Sequence, residues 1–171
     1  MADLTRTRLR EQEPTQESNY EFALRNRSEA MERGLNGKIV VRESDLEWEL
    51  NRQGFLKYYL MGTKYPETAL NDWMVFVHDV RHASGKHRHQ GGLVLFVLEG
   101  KGATEVNGEI IEWEEGDCVL LPLHPDGVDH AHYSRGDKPA KWVAFIHIPT
   151  WDYVASEMVQ TQINPSFKAG G

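Results

Sequence analysis

The sequence predicts an all-β fold, a barrel or sandwich of short strands, and three observations carry that prediction. Short apolar runs recur from residue 38 to residue 148. Several alternate with period two, as in Leu46, Trp48 and Leu50, or Met74, Phe76, His78 and Val80. Turn residues punctuate them: Pro66, Gly100, Gly102, Asn107-Gly108, Gly116 and Gly136.

Taken in order, residues 1–19 are polar and charged, with few apolar side chains, and read as a loosely docked arm. Residues 20–33 mix apolar side chains with charges, and Ser18 is placed to cap a short helix there. Asn36-Gly37 closes the segment as a turn. Strands are expected at 38–42, 46–50, 55–61 and 73–80, with a loop at 62–70. Then come His87 and His89, a run at 93–98, a second run to Val106 and the hairpin signal Asn107-Gly108. Further strands are expected at 109–113 and 118–121, and a closing strand at 141–148 after the turn Arg135-Gly136-Asp137-Lys138-Pro139. Thr150 is placed to cap a last helix over 151–159, and the tail from Asn164 is expected to fray. The domain reading is an arm over 1–37, partly helical or disordered, a barrel over 38–150, and a C-terminal helix and tail over 151–171.

Composition narrows the function. A chain of 171 residues is long enough for one domain with a real core. The net charge of −7 and the lack of a basic cluster argue against nucleic acid as a partner. No apolar run approaches a membrane span, and no apolar leader is visible, so a cytoplasmic address is expected. The single cysteine, Cys118, excludes a disulfide within the chain and reads as a small buried hydrophobe in a core strand.

The chemistry concentrates between residues 87 and 132. His87 and His89 lie two apart, so on a strand both imidazoles face one way. Pro125-x-Gly127-x-x-His130 delivers a third histidine, and an antiparallel meander would return it beside the first two. Three imidazoles suit Fe, Zn, Cu and Ni alike. Being neutral, they leave a divalent ion its full charge, with open positions for a chelating substrate and O2. His132 lies two after His130 and is read as a catalytic acid–base group, against the alternatives of a fourth ligand or a rim residue. Arg81 and Arg88 offer guanidinium groups for a substrate carboxylate; Arg81 is the catalytic candidate, because Arg88 faces away from its two neighbours. Asp129 and Gln90 are candidates to orient the imidazoles. His78 and His147 read as core or pocket groups, as does His82, and His124 as a solvated loop residue.

Two motifs in this stretch resemble the cupins. One is His87-x-His89 followed by a strand ending in Leu98-Glu99-Gly100-x-Gly102; the other is Gly116-Asp117, an apolar strand, then Pro125-x-Gly127-x-x-His130. The resemblance covers roughly residues 78–148. It implies a double-stranded β-helix, or jelly-roll barrel, here with a polar N-terminal arm and a short C-terminal helix. Cupins commonly carry a Glu three or four residues after the second His, where this chain has Leu93 and Val94. The usual Asn after the last His is also missing, with Ser134 nearest. A three-His site without the carboxylate resembles the gentisate and salicylate ring-cleaving dioxygenases and the acetylacetone-cleaving dioxygenase. The gentisate type also shares His87-Arg88-His89 and the pair His130-Ala131-His132.

The resemblance implies Fe(II) on His87, His89 and His130, with Mn, Ni, Zn or Cu as alternatives. It also implies a small anionic bidentate substrate, O2, C–C bond cleavage and a homodimer. Two other functions stay open. One is a non-oxidative metal-dependent lyase, hydrolase or isomerase; the other is a cupin that binds a small ligand without turnover.

Overall fold

The computed structural model describes residues 17–167, and the expectations for residues 1–16 and 168–171 lie outside them. The first element is helix α1, Asn19–Asn36. Ser18 caps it as expected, its Oγ accepting from the Glu21 N–H at 3.2 Å. Gly37 ends it, donating its N–H to the Arg33 carbonyl at 2.7 Å. No side chain of α1 is buried, and Tyr20, Met31 and Leu35 stand in solvent.

Among the described residues eleven strands follow, in two antiparallel sheets. The first sheet runs β1 (Glu49–Leu50), β2 (Phe55–Met61), β3 (Trp73–Val80), β10 (Ala140–His147), β5 (Leu93–Glu99) and β8 (Cys118–Leu121). The second runs β11 (Val159–Gln162), β4 (Lys86–His89), β9 (Val128–Ser134), β6 (Lys101–Val106) and β7 (Glu109–Glu114). This is the expected all-β jelly-roll arrangement, with the core between the sheets. Leu56, Leu95, Val97, Leu121 and Trp142 are among the buried side chains there.

The stretch from His87 to His132 is not a meander, which is a correction. Within it only β6 and β7 form a hairpin, turning at Asn107 and Gly108, both at positive φ (49° and 92°). Elsewhere the chain alternates between sheets, so β5 pairs with β8 and β4 with β9. Apolar side chains of both sheets are buried together this way, which a meander confined to one sheet would not achieve.

Other expectations fail for local reasons. Residues 38–42 make only one bridge, Lys38 to Thr68, rather than a strand. Residues 46–50 shrink to the two-residue β1 behind a 3-10 turn at Glu43–Asp45. The Trp48 ring there lies under the Lys57 ammonium at 4.7 Å, so its apolar spacing serves a side-chain contact and not a long ladder. Cys118 is exposed and not buried, because Val119 and Leu121 take the inward positions of β8.

The last helix, α2, spans Ile148–Tyr153, with Pro149 in its first turn and His147 as N-cap, so it begins before Thr150 and ends well short of residue 159. The chain then extends and adds β11 to β4. Asn164 does not fray. It is buried, its Nδ2 donating to the Ala83 carbonyl at 2.7 Å and its N–H to the Arg52 carbonyl at 2.8 Å.

The two outer faces differ. On the first sheet Val94, Phe96, Leu98, Leu120 and Phe145 are exposed. On the second, Lys86 pairs with Glu105 at 2.6 Å and with Asp129 at 3.3 Å. Among the described residues, no helix is long and apolar enough to cross a membrane.

Candidate metal centre

Strand period and register build the site. In β4 the side chains of His87 and His89 point inward and Arg88 outward, as two-residue spacing requires. Antiparallel pairing sets His87 opposite His130 of β9, and the ring centroids come within 4.3 Å. His89 lies 4.6 Å from His130 and 5.4 Å from His87. One nitrogen from each of the three rings lies within 4.8 Å of the others.

The donor set suits a metal ion. All three rings are buried, and three converging imidazoles with no carboxylate fit a divalent transition metal. Nδ1 of His130 is 2.9 Å from the Val128 carbonyl, which fixes a proton on Nδ1 and frees the Nε2 lone pair. Nδ1 of His89 accepts from the Gly91 N–H at 2.9 Å, which in the neutral ring puts the proton on Nε2. Ligation through Nε2 therefore requires this ring to lose that proton or leave Gly91. Nδ1 of His87 is buried with no hydrogen-bond partner among the described residues.

Burial also sets the charge state. It pushes His87 down to about 2, helped by His130 and His89 beside it. It pushes His89 down to about 3, again with His130 contributing, and His130 is lowered for the same first reason. All three are thus neutral at pH 7, as ligands must be.

The remaining candidates are placed as follows. His132 is inside, its ring 5.5 Å from that of His130. Its Nδ1 is 2.9 Å from Thr104 Oγ1, and burial holds it well below the usual histidine range. Arg81 is not joined to the cluster: its guanidinium covers the Phe55 ring at 3.6 Å, and its Nε donates to Asp79 at 3.2 Å. Arg88 is exposed, as expected.

Asp129 pairs with Lys86 and Gln90 Oε1 accepts from the Glu157 N–H at 2.7 Å, so neither bonds a ligand imidazole. His78 is buried, with its Nε2 unpartnered among the described residues. His82 is exposed, contrary to a core reading, because it lies beyond the end of β3. His147 is half-buried and 2.9 Å from Thr150 Oγ1, and His124 is exposed in its loop.

Sequence reading missed two tryptophans. Trp151 of α2 lies 4.9 Å from His89, and Trp142 of β10 lies 4.7 Å from His132, with its indole N–H buried and without a partner among the described residues. The inward alternation of Ala140, Trp142, Ala144 and Ile146 was a usable signal for Trp142. No comparable signal marks Trp151.

Comparisons with known proteins bear on this site. The family model described as a cupin domain matches residues 74–146. A gentisate 1,2-dioxygenase of a Streptomyces species is 34% identical over 70 residues, covering 40% of this chain and 19% of that protein. One from a Ralstonia species is 35% identical over 69 residues, covering 40% and 19%. The chain thus spans about a fifth of the length of the curated relatives it matches. Among solved structures, a cupin-like protein of Thermotoga maritima superposes with a TM-score of 0.51 at 17% identity, covering 74% of this chain and 86% of that one.

Five buried histidines, His78, His87, His89, His130 and His132, make metal-free stability acid-sensitive. Each is neutral in the fold but takes a proton near pH 6.5 in the unfolded chain. The unfolded chain therefore binds more protons, and stability falls as pH drops below that value. The loss is up to about 1.4 kcal/mol per pH unit for each ring. Denaturant unfolding of metal-free protein, followed by circular dichroism, should show a plateau above about pH 7 and a steep decline toward pH 5. A flat profile would mean that the rings are not buried as neutral groups.

Proposed function

We propose that this chain, whose residues 74–146 match the cupin domain model, is a non-haem Fe(II) dioxygenase. It cleaves a C–C bond of a small chelating aromatic or dicarbonyl compound with O2. The observation that carries this reading is the buried three-histidine cluster of His87, His89 and His130, which contains no carboxylate. The gentisate 1,2-dioxygenase relatives support it. The proposed substrate class is wider than gentisate: an anionic, bidentate hydroxy-aromatic acid, catechol-like pair or enolised diketone.

When bound, Fe(II) supplies Lewis acidity and one-electron chemistry with O2 that no side chain offers. The protein's own residues do the rest. His87 and His130 would hold the ion as neutral donors, kept so by burial, and His89 would join them on giving up its Nε2 proton or its bond to the Gly91 N–H. Trp151 against His89 and Trp142 against His132 shield the histidines from water. His132, inside and beside His130, is the group placed to bond an anionic oxygen of the substrate. Arg81 receives no role, since Asp79 and Phe55 engage it. At the position where related sites carry a glutamate ligand, Leu93 is buried in the core.

Oxygen consumption by anaerobically Fe(II)-loaded protein tests the reading, with gentisate, salicylates, catechols and β-diketones as the panel. Uptake should depend on one substrate class and fall at least about 100-fold in His130→Ala, which removes a ligand. Leu93→Glu should change the preferred metal and suppress O2 uptake. Bound metal with no O2 uptake across the panel would favour a non-oxidative lyase, hydrolase or isomerase instead.

We also propose a homodimer formed over the first sheet, whose exposed Val94, Phe96, Leu98, Leu120 and Phe145 make an apolar outer face. Sedimentation should give twice the chain mass of 19.6 kDa. Phe96→Asp should shift it to a monomer, and a monomeric native protein would contradict the assignment.

A further inference from the structure

The interior holds a chain of polar side chains that ends on His132, and the dioxygenase reading gives its other two members, Thr104 and Trp113, no role. Trp113 Nε1 donates to Thr104 Oγ1 at 2.9 Å, and Thr104 Oγ1 lies 2.9 Å from His132 Nδ1. All three residues are buried: Thr104 is 0% exposed, His132 2% and Trp113 5%. Strand register brings them together, because β6 lies between β7 and β9. Thr104 faces His132 across one ladder and Ile111 across the other, while Trp113 faces Gly102. Gly102 makes room for the indole: a Cβ there would lie 2.3 Å from the Trp113 ring.

The direction of these bonds follows from the donor inventory. An indole N–H can only donate, so Thr104 Oγ1 accepts from Trp113. The threonine hydroxyl has one proton, and among the described residues the only acceptor in reach is His132 Nδ1. If His132 instead donated from Nδ1, the hydroxyl would accept twice and bury its own proton unpaired, which is unfavourable. The hydroxyl therefore donates to Nδ1, and a neutral His132 carries its proton on Nε2. The backbone of His132 is fixed as well, its N–H donating to Ser84 Oγ at 2.8 Å and its carbonyl accepting from the Ser84 N–H at 2.7 Å.

We propose that Thr104, itself set by Trp113, is a positioning residue that locks His132 as the Nε2–H tautomer, so that His132 is a fixed hydrogen-bond donor beside the three-histidine cluster and not a fourth ligand. The role for His132 rests on the dioxygenase reading above; the lock itself does not. His130 is set the opposite way, with its Nδ1 proton on the Val128 carbonyl and its Nε2 lone pair free. Two neighbouring inward histidines of β9 are thus assigned different work by what their Nδ1 atoms meet. One is left an acceptor suited to a cation, the other a donor suited to an oxygen anion.

The test is the tautomer itself, read in metal-free protein labelled with 15N-histidine, from the two-bond 1H–15N couplings and nitrogen shifts. The His132 signals are assigned by their loss in His132→Gln. Native protein should show Nε2 protonated and Nδ1 bare, with the Nε2–H form favoured at least about tenfold. Thr104→Ser, which keeps the hydroxyl, should preserve that pattern. Thr104→Val, which removes the hydroxyl from Nδ1, should lower that preference and give a measurable share of the Nδ1–H form. Trp113→Phe should give a mixture, because the threonine hydroxyl is then free to accept from Nδ1.

A native His132 protonated on Nδ1, or a Thr104→Val spectrum identical to native, would overturn the proposal. Added Zn(II) should shift the signals of His87, His89 and His130 and leave the His132 nitrogens in place. Direct zinc ligation by His132 would also overturn it. Zinc that moves no histidine would count against the metal reading, while the tautomer pattern would still decide the lock.

Discussion

The antiparallel register of β4 and β9 sets His87 opposite His130, and the candidate site depends on that pairing. A shift of one residue would turn all the inward histidines of one strand to solvent, because side chains alternate with period two. The register is anchored outside the site. Lys86 and Asp129 pair at 3.3 Å on the outer face, while Val128 is buried in the core on the inner face. The strand on the far side of β4, β11, leaves β4 with neighbours on both edges.

Burial then does two jobs at once. It withholds protons from the imidazoles, which keeps lone pairs available, and it makes unpaired donors and acceptors unfavourable. Most polar atoms here meet that demand inside the protein. His130 uses the Val128 carbonyl, His89 the Gly91 N–H, and His132 the Thr104 hydroxyl. Among the described residues, Nδ1 of His87 and the indole N–H of Trp142 find no partner. The pattern is that of a polar patch within an otherwise apolar barrel core.

Much of this was legible in the sequence, for identifiable reasons. His87 and His89 show their common face by spacing alone, and Asn107-Gly108 announces its turn because both residues tolerate positive φ. The motif around Gly127 and His130 added the third histidine through resemblance. What failed was long-range. Alternation of strands between two sheets has no local signature, so 87–132 read as a meander. For the same reason nothing marked Thr104 as the partner of His132, since their contact exists only through β6–β9 register. Cys118 was misplaced because an apolar run of four residues does not say which alternate pair faces inward. The segment after α2 read as helix and tail, whereas pairing with β4 makes part of it a strand.

X-ray absorption of protein loaded anaerobically with one equivalent of Fe(II) tests the central claim most directly. The account predicts stoichiometric binding with three imidazole nitrogens and no protein carboxylate in the inner coordination sphere, and loss of that binding in His130→Ala. A carboxylate ligand, a fourth imidazole, or no uptake of the metal would contradict it.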